Sequence, residues 1–186
     1  MRKLIVFNMV TVEGYYEGAD GNIDWHNVDE EFNEFAIKQL DSVGAILFGR
    51  VTYELMASYW PSAAALKDDP IVAGKMNSSP KIVFSTTLST VDWQNTRLIK
   101  ADLAEELTQL KQQPGKDLII FGSGKLTANF TQLGLIDEYR IIVAPVVLGS
   151  GHPLFMDLDQ PLKLNLLRTR PFKSGNVLLY YEPRRQ

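Results

Sequence analysis

Leu118-Ile119-Ile120-Phe121-Gly122-Ser123-Gly124-Lys125-Leu126 is the stretch on which the fold turns. Four apolar residues without a polar break, then Gly-Ser-Gly, then a helical pattern to about Leu133, describe a buried strand running through a tight turn into a helix. Glycines let backbone approach a ligand closely, and the free amides at a helix start favour an anion. Lys125 adds a positive charge. The plainer alternative is a tight βα turn with a solvent-facing lysine. Spacing excludes two named loops. A Walker A loop needs glycine at position 119 and Ser or Thr at 126, where the chain has Ile119 and Leu126. A Rossmann fingerprint needs glycine at 127 in the first βα unit, where the chain has Thr127 in a late one.

Outward from this turn the same pattern repeats. Leu4 to Val10 opens as a strand, and Asp29 to Leu40 reads as a helix with Phe32, Phe35, Ala36 and Leu40 at helical spacing. Ala45 to Phe48 is an apolar strand ending at Gly49, followed by a helix carrying Tyr53, Leu55 and Met56. Lys81 to Phe84 is the next strand and Leu103 to Lys111 the next helix. Tyr139 to Val147 reads as a strand cut by Pro145. Near-continuous apolar strands linked by helices imply a mostly parallel sheet covered on both faces. Leu162 to Arg170 and Asn176 to Tyr181 read instead as an antiparallel hairpin. Ser62 to Asp69 is expected to be a mobile surface loop. With no repeat and no long linker, residues 1–186 are expected to form a single α/β domain.

Composition narrows the classes. The chain has 186 residues, 45% of them hydrophobic, enough for a sizeable core. Its 19 basic and 22 acidic residues give a formal charge of −3 without a clustered basic patch, so the chain lacks the electrostatic footprint of a nucleic-acid binder. There is no cysteine, which removes disulfides, thiolate chemistry and cysteine-based zinc sites. The chain has only two histidines, and no Gly-x-Ser-x-Gly elbow occurs, which argues against a metal site and a serine hydrolase. No run approaches the roughly 18 apolar residues of a membrane span. The cytoplasm is the default compartment.

Two more strand ends carry polar turns. Gly49-Arg50-Val51-Thr52-Tyr53-Glu54 offers a guanidinium fork for phosphate oxygens and a hydroxyl at a helix start, or else a capping pattern. Ser85-Thr86-Thr87 follows the strand Lys81 to Phe84, and alone it reads as a turn or cap. Ligand sites in such sheets lie beyond the carboxyl ends of the strands. One edge of the sheet therefore presents Arg50, Thr52, Ser85, Thr86, Ser123 and Lys125, a supply of donors suited to a ligand with several phosphates.

These pieces, together with Leu135-Ile136-Asp137-Glu138, the run Ala144 to Gly151 and Pro153-Leu154-Phe155, resemble in order and extent the dihydrofolate reductase-like fold. The resemblance is greater to the reductase domain at the C-terminal end of the riboflavin-biosynthesis deaminase/reductase. It implies an NADPH-dependent reductase that transfers a hydride to a small pterin- or aminopyrimidine-like substrate. It also implies Gly49, Arg50 and Thr52 on the cofactor pyrophosphate, Ser85 and Thr86 near the 2′-phosphate, and Gly122, Ser123, Gly124 and Lys125 closing over the diphosphate. The resemblance further implies an unusual backbone conformation at Gly122-Ser123, a cis peptide being one form of it. The deaminase zinc site needs cysteines that this chain lacks.

On the substrate side, the resemblance implies a carboxylate at the start of the first helix, Asp29 or Glu30, as the catalytic candidate. The alternative is an acidic first turn serving the helix dipole. Glu13 and Trp25 are the candidate substrate contacts, although the family's Ser-x-Asp-Gly is here Thr11-Val12-Glu13-Gly14. A non-catalytic NADP(H)-binding protein of the same fold is the second reading, and a homodimer stays open.

Overall fold

The computed structural model describes residues 1–100, 102–156 and 158–184. In chain order the elements are β1 (Leu4–Val10), β2 (Tyr15–Gly18), α1 (Glu30–Ser42), β3 (Val43–Gly49), α2 (Arg50–Tyr59), α3 (Ala63–Asp68), α4 (Pro70–Ser78) and β4 (Lys81–Phe84). They continue with β5 (Thr96–Ile99), α5 (Leu103–Gln112), β6 (Asp117–Phe121), α6 (Gly124–Gln132), β7 (Glu138–Val143), β8 (Gly151–Pro153), β9 (Leu164–Pro171) and β10 (Val177–Pro183).

Eight strands form one sheet in the order β5-β4-β3-β6-β1-β7-β10-β9, and β2 pairs with β8 in a small second sheet. The first six are parallel, whereas β10 runs antiparallel to both β7 and β9. This is an α/β fold of the dihydrofolate reductase-like kind, with the antiparallel hairpin at its C-terminal end.

Side chains alternate across a strand, and here both faces are apolar. Leu4, Val6, Leu47, Ile82, Leu118 and Ile120 pack on one side against Leu107 and Leu110 of α5 and Leu126 and Phe130 of α6. Ile5, Ile46, Phe48, Val83 and Ile119 pack on the other against Leu40 of α1, Tyr53 of α2 and Val72 and Met76 of α4. Double burial is why these strands carry no polar alternation.

The expected surface loop from Ser62 to Asp69 is instead helical. Ser62 accepts from the Ala65 amide to start α3, and Asp69 accepts from the Val72 amide to start α4 with Pro70 at its first position. Each cap satisfies an amide that a helix leaves unpaired. The strand expected from Tyr139 to Val147 ends at Val143, two residues before Pro145. Among the described residues no helix is long and apolar enough to cross a membrane.

Candidate functional site

The parallel register brings the turns after β3, β4 and β6 to one edge of the sheet. Gly49 stands opposite Phe84, and Phe121 opposite Phe7 of β1. The two inner turns are latched to each other. Ser123 Oγ accepts from the Gly49 amide at 2.7 Å, and Thr52 Oγ1 accepts from the Ser123 amide at 3.0 Å. Gly122 and Ser123 both take left-handed conformations, with φ of 60° and 58°. The expected unusual backbone is therefore present, but every described peptide bond is trans. A Cβ on Gly122 would come within 3.0 Å of Thr52 Cγ2, and one on Gly124 within 2.7 Å of the Tyr16 ring. Glycine is required here by close packing between elements.

A second regularity singles out the same turns. Helices α1, α3, α4 and α5 each begin with a side-chain cap, from Asp29, Ser62, Asp69 and Asp102. Helices α2 and α6, which begin at the latched turns, have no side-chain cap hydrogen bond. Their leading amides are left for another acceptor, and the helix dipoles favour that acceptor being negative. Arg50 lies beside them, paired with Glu54 at 2.9 Å, and Lys125 is exposed on α6. Ser85 is buried at the end of β4, where its Oγ accepts from the Thr87 and Leu88 amides, and Thr86 is exposed.

Next to this edge lies a cavity of about 530 Å³ between β1, β6, the 16–28 segment, α1, α2 and α4. Its walls are largely apolar, with Phe7, Phe32, Leu55, Met56, Trp60 and Phe121 among them, and Gly122 and Ser123 of the latched turn form part of the lining. Polar side chains in the lining are those of Asn8, Tyr16, Glu17, Asp24, His26, Asn33, Gln39, Thr52, Tyr59, Trp60 and Ser123. Burial, reinforced by Glu17, pushes the Tyr16 hydroxyl up to about 12, so it stays protonated. Burial pulls the His26 imidazole down to about 4, so it is neutral at pH 7. The Glu17 carboxylate also meets His152 Nδ1 at 2.8 Å.

The RibD C-terminal domain model matches residues 2–178. The chain belongs to this reductase-domain family. It is 36% identical to the uncharacterized protein YyaP of Bacillus subtilis (strain 168), over 97% of this chain and 94% of that protein. It is 23% identical to riboflavin biosynthesis protein RibD of Corynebacterium ammoniagenes, over 77% of this chain and 44% of that longer protein. Among solved structures, a Shewanella sp. PV-4 protein whose name places it in riboflavin biosynthesis superposes with a TM-score of 0.76, at 26% identity. That match covers 98% of this chain and 99% of the other. Dihydrofolate reductase from Enterococcus faecalis, complexed with NADP(H), shares the fold at a TM-score of 0.67 and 13% identity, over 98% of this chain and 97% of that one.

Within this family frame, the substrate-side expectations move. Asp29 is the N-cap of α1, its carboxylate accepting from the Phe32 amide, and Glu30 is exposed. Neither lines the cavity. Helix geometry explains the change: Phe32, Asn33, Ala36, Gln39 and Leu40 form one face at about 100° per residue, and Glu30 falls well off it. Glu13 also lies outside the lining, where its carboxylate clasps the Leu148 and Gly149 amides. Trp25 packs beside the cavity against the Phe35 and Phe172 cluster, with its ring edge-on to His26. The residues that do reach the cavity, Tyr16, Glu17 and Asn33, carried only weak signals. Asn33 sits in the α1 stripe already visible as Phe32, Ala36 and Leu40, whereas Tyr16 belongs to a short strand that pairs only with residues about 135 positions away.

Proposed function

We propose that this protein is an NADPH-dependent reductase that transfers a hydride to a small heterocycle of the pterin or aminopyrimidine kind. The observation that carries the reading is the pair of uncapped helices, α2 and α6, latched together by Gly49, Thr52 and Ser123 at the mouth of an apolar cavity. The residues fit a dinucleotide. The leading amides of α2 and α6, which no side chain caps, suit a pyrophosphate, and the apolar wall suits an aromatic ring.

In this reading Gly49, Arg50, Thr52, Gly122, Ser123, Gly124 and Lys125 hold the pyrophosphate. Ser85 and Thr86, one strand further out, serve the 2′-phosphate. NADPH supplies the hydride when bound, and the chain supplies orientation and a dry site. Phe7, Phe32 and Phe121 offer flat surfaces for the rings. Tyr16 keeps an O–H at the cavity wall, and Glu17 and His152 connect it to the surface, so Tyr16 replaces Asp29 and Glu30 as the candidate proton donor. The absence of both helix carboxylates from the cavity favours a second reading, a dinucleotide-binding protein without turnover.

Calorimetric titration with NADPH and NADH tests the proposal. NADPH is expected to bind at least about tenfold tighter, a difference of about 1.4 kcal/mol. Oxidation of NADPH by a dihydropterin or an aminouracil conjugate separates the reductase from the binder. No binding of either dinucleotide overturns both.

A further inference from the structure

We infer that the substrate of this cavity is a flat, unphosphorylated heterocycle, neutral or cationic, and not a sugar-phosphate conjugate. The inference rests on the reductase reading and narrows it. Among the described residues, the carboxylates in the cavity lining are Glu17 and Asp24, and no lysine or arginine lines it. His26 adds no charge, since burial keeps its imidazole neutral at pH 7.

Three cations on the surrounding elements are engaged elsewhere. Arg140 Nη1 donates to Gln39 Oε1 at 3.2 Å from behind the wall, while its Nε donates to Glu138 at 2.7 Å. Arg50 is paired with Glu54, and Lys75 with Asp41. A phosphate ester entering this space would lose water without gaining a cationic partner, and would meet two like charges. Charge-assisted N–H groups, which normally hold a phosphate, lie instead at the starts of α2 and α6, where the reading puts the cofactor.

What the cavity does offer is acceptors and aromatic faces. Asn8 Nδ2 donates to the Gly122 carbonyl at 3.3 Å, which leaves Asn8 Oδ1 as an acceptor in a lining that also holds the Glu17 and Asp24 carboxylates. The Phe7 and Phe121 rings meet edge-on at 5.7 Å, and Phe32 completes an aromatic wall. Acceptors within a largely apolar cavity recognise ring N–H and amino groups, and carboxylates favour a protonated ring over an anion.

The test is a comparison of ligands that differ in the phosphate. An aminouracil riboside, its phosphate ester and a diaminopteridine are titrated into the protein with and without NADPH, followed by calorimetry. The riboside and the diaminopteridine are expected to bind at least about tenfold tighter than the phosphate ester. Asp24→Lys is expected to narrow that ratio by about threefold or more, with Glu17→Gln as the second variant. Equal or tighter binding of the phosphate ester by the unaltered protein overturns the inference, and so does failure of all three ligands to bind. Failure of NADPH alone overturns the reductase reading instead, and the ratio measured without cofactor then still decides the substrate class.

Discussion

The Thr52 hydroxyl accepts the Ser123 amide at 3.0 Å, so the first turn of α2 holds the turn that opens α6. In this way a side chain at the start of one helix is spent on a neighbouring turn, and both helices keep their leading amides free of side-chain caps. Thr52→Val keeps the shape and removes the acceptor. It leaves a partly buried amide unpaired, at a cost of about 1–3 kcal/mol. A lowered urea midpoint with unchanged m-value is expected, together with NADPH affinity reduced about tenfold. Unchanged affinity would detach the latch from cofactor binding.

Gly124→Ala tests the packing beneath Tyr16. The new Cβ would sit 2.7 Å from the Tyr16 ring, so the ring must leave its place on α6. Overpacking of this kind costs about 1–3 kcal/mol. Because Tyr16 lines the cavity, the displacement is expected to reduce turnover as well as stability, whereas Lys125→Ala on the exposed side leaves stability unchanged.

Tyr16→Phe separates proton supply from packing. The ring stays and the hydroxyl goes, so NADPH affinity is expected to hold while kcat falls about a hundredfold, the usual scale for a lost general acid. Equal kcat in the two proteins would remove Tyr16 from the chemistry.

His26 sets an acid limit on stability. Its folded pKa, about 4, lies below the ordinary histidine value of 6.5 because burial disfavours the imidazolium. The unfolded chain therefore binds the proton more readily. The associated stability is fully present above about pH 6.5 and is lost as pH falls through about 4, amounting to about 2–3 kcal/mol. Urea midpoints measured from pH 7 to pH 4 should fall in the unaltered protein and fall less in His26→Phe.

Lys81 works in the opposite pH range. It is buried, donates to the carbonyls of Met76, Asn77 and Ser79, and lies 4.4 Å from the centre of the Trp93 ring. Burial pulls its pKa down from 10.5 to about 8, so the unfolded chain again binds the proton more tightly. Burying the charge opposes folding below about pH 8, and that opposition fades as pH rises from about 8 to 10.5. Lys81→Met removes this pH dependence but strands three carbonyls at the end of α4, and a net loss of about 1–3 kcal/mol is expected at neutral pH.

Local pattern was enough for much of this molecule. Leu4 to Val10, Ala45 to Phe48 and Leu118 to Phe121 read directly as strands, because a strand covered on both faces is apolar nearly throughout, Asn8 being the one polar exception. The turns after them were legible for a similar reason: Gly49 and Gly122-Ser123-Gly124 interrupt apolar runs where a helix must begin. Other parts were decided by partners distant in the chain. β2 and β5 are short and half-buried, and each is a strand only because β8 or β4 pairs with it. Asp29 and Glu30 were correctly placed at a helix start, yet their role depended on how α1 is rotated against the sheet. Phe35 and Leu40 set that rotation by packing into the core, which turns Asn33 and Gln39 to the cavity and leaves Asp29 as a cap. Sequence alone determined the inner parallel strands, helices α1, α2, α5 and α6 and the glycine turns, since these follow from nearest neighbours and burial. Only the tertiary structure decided which side chains share a cavity, because that is fixed by contacts between residues as far apart as Thr52 and Ser123.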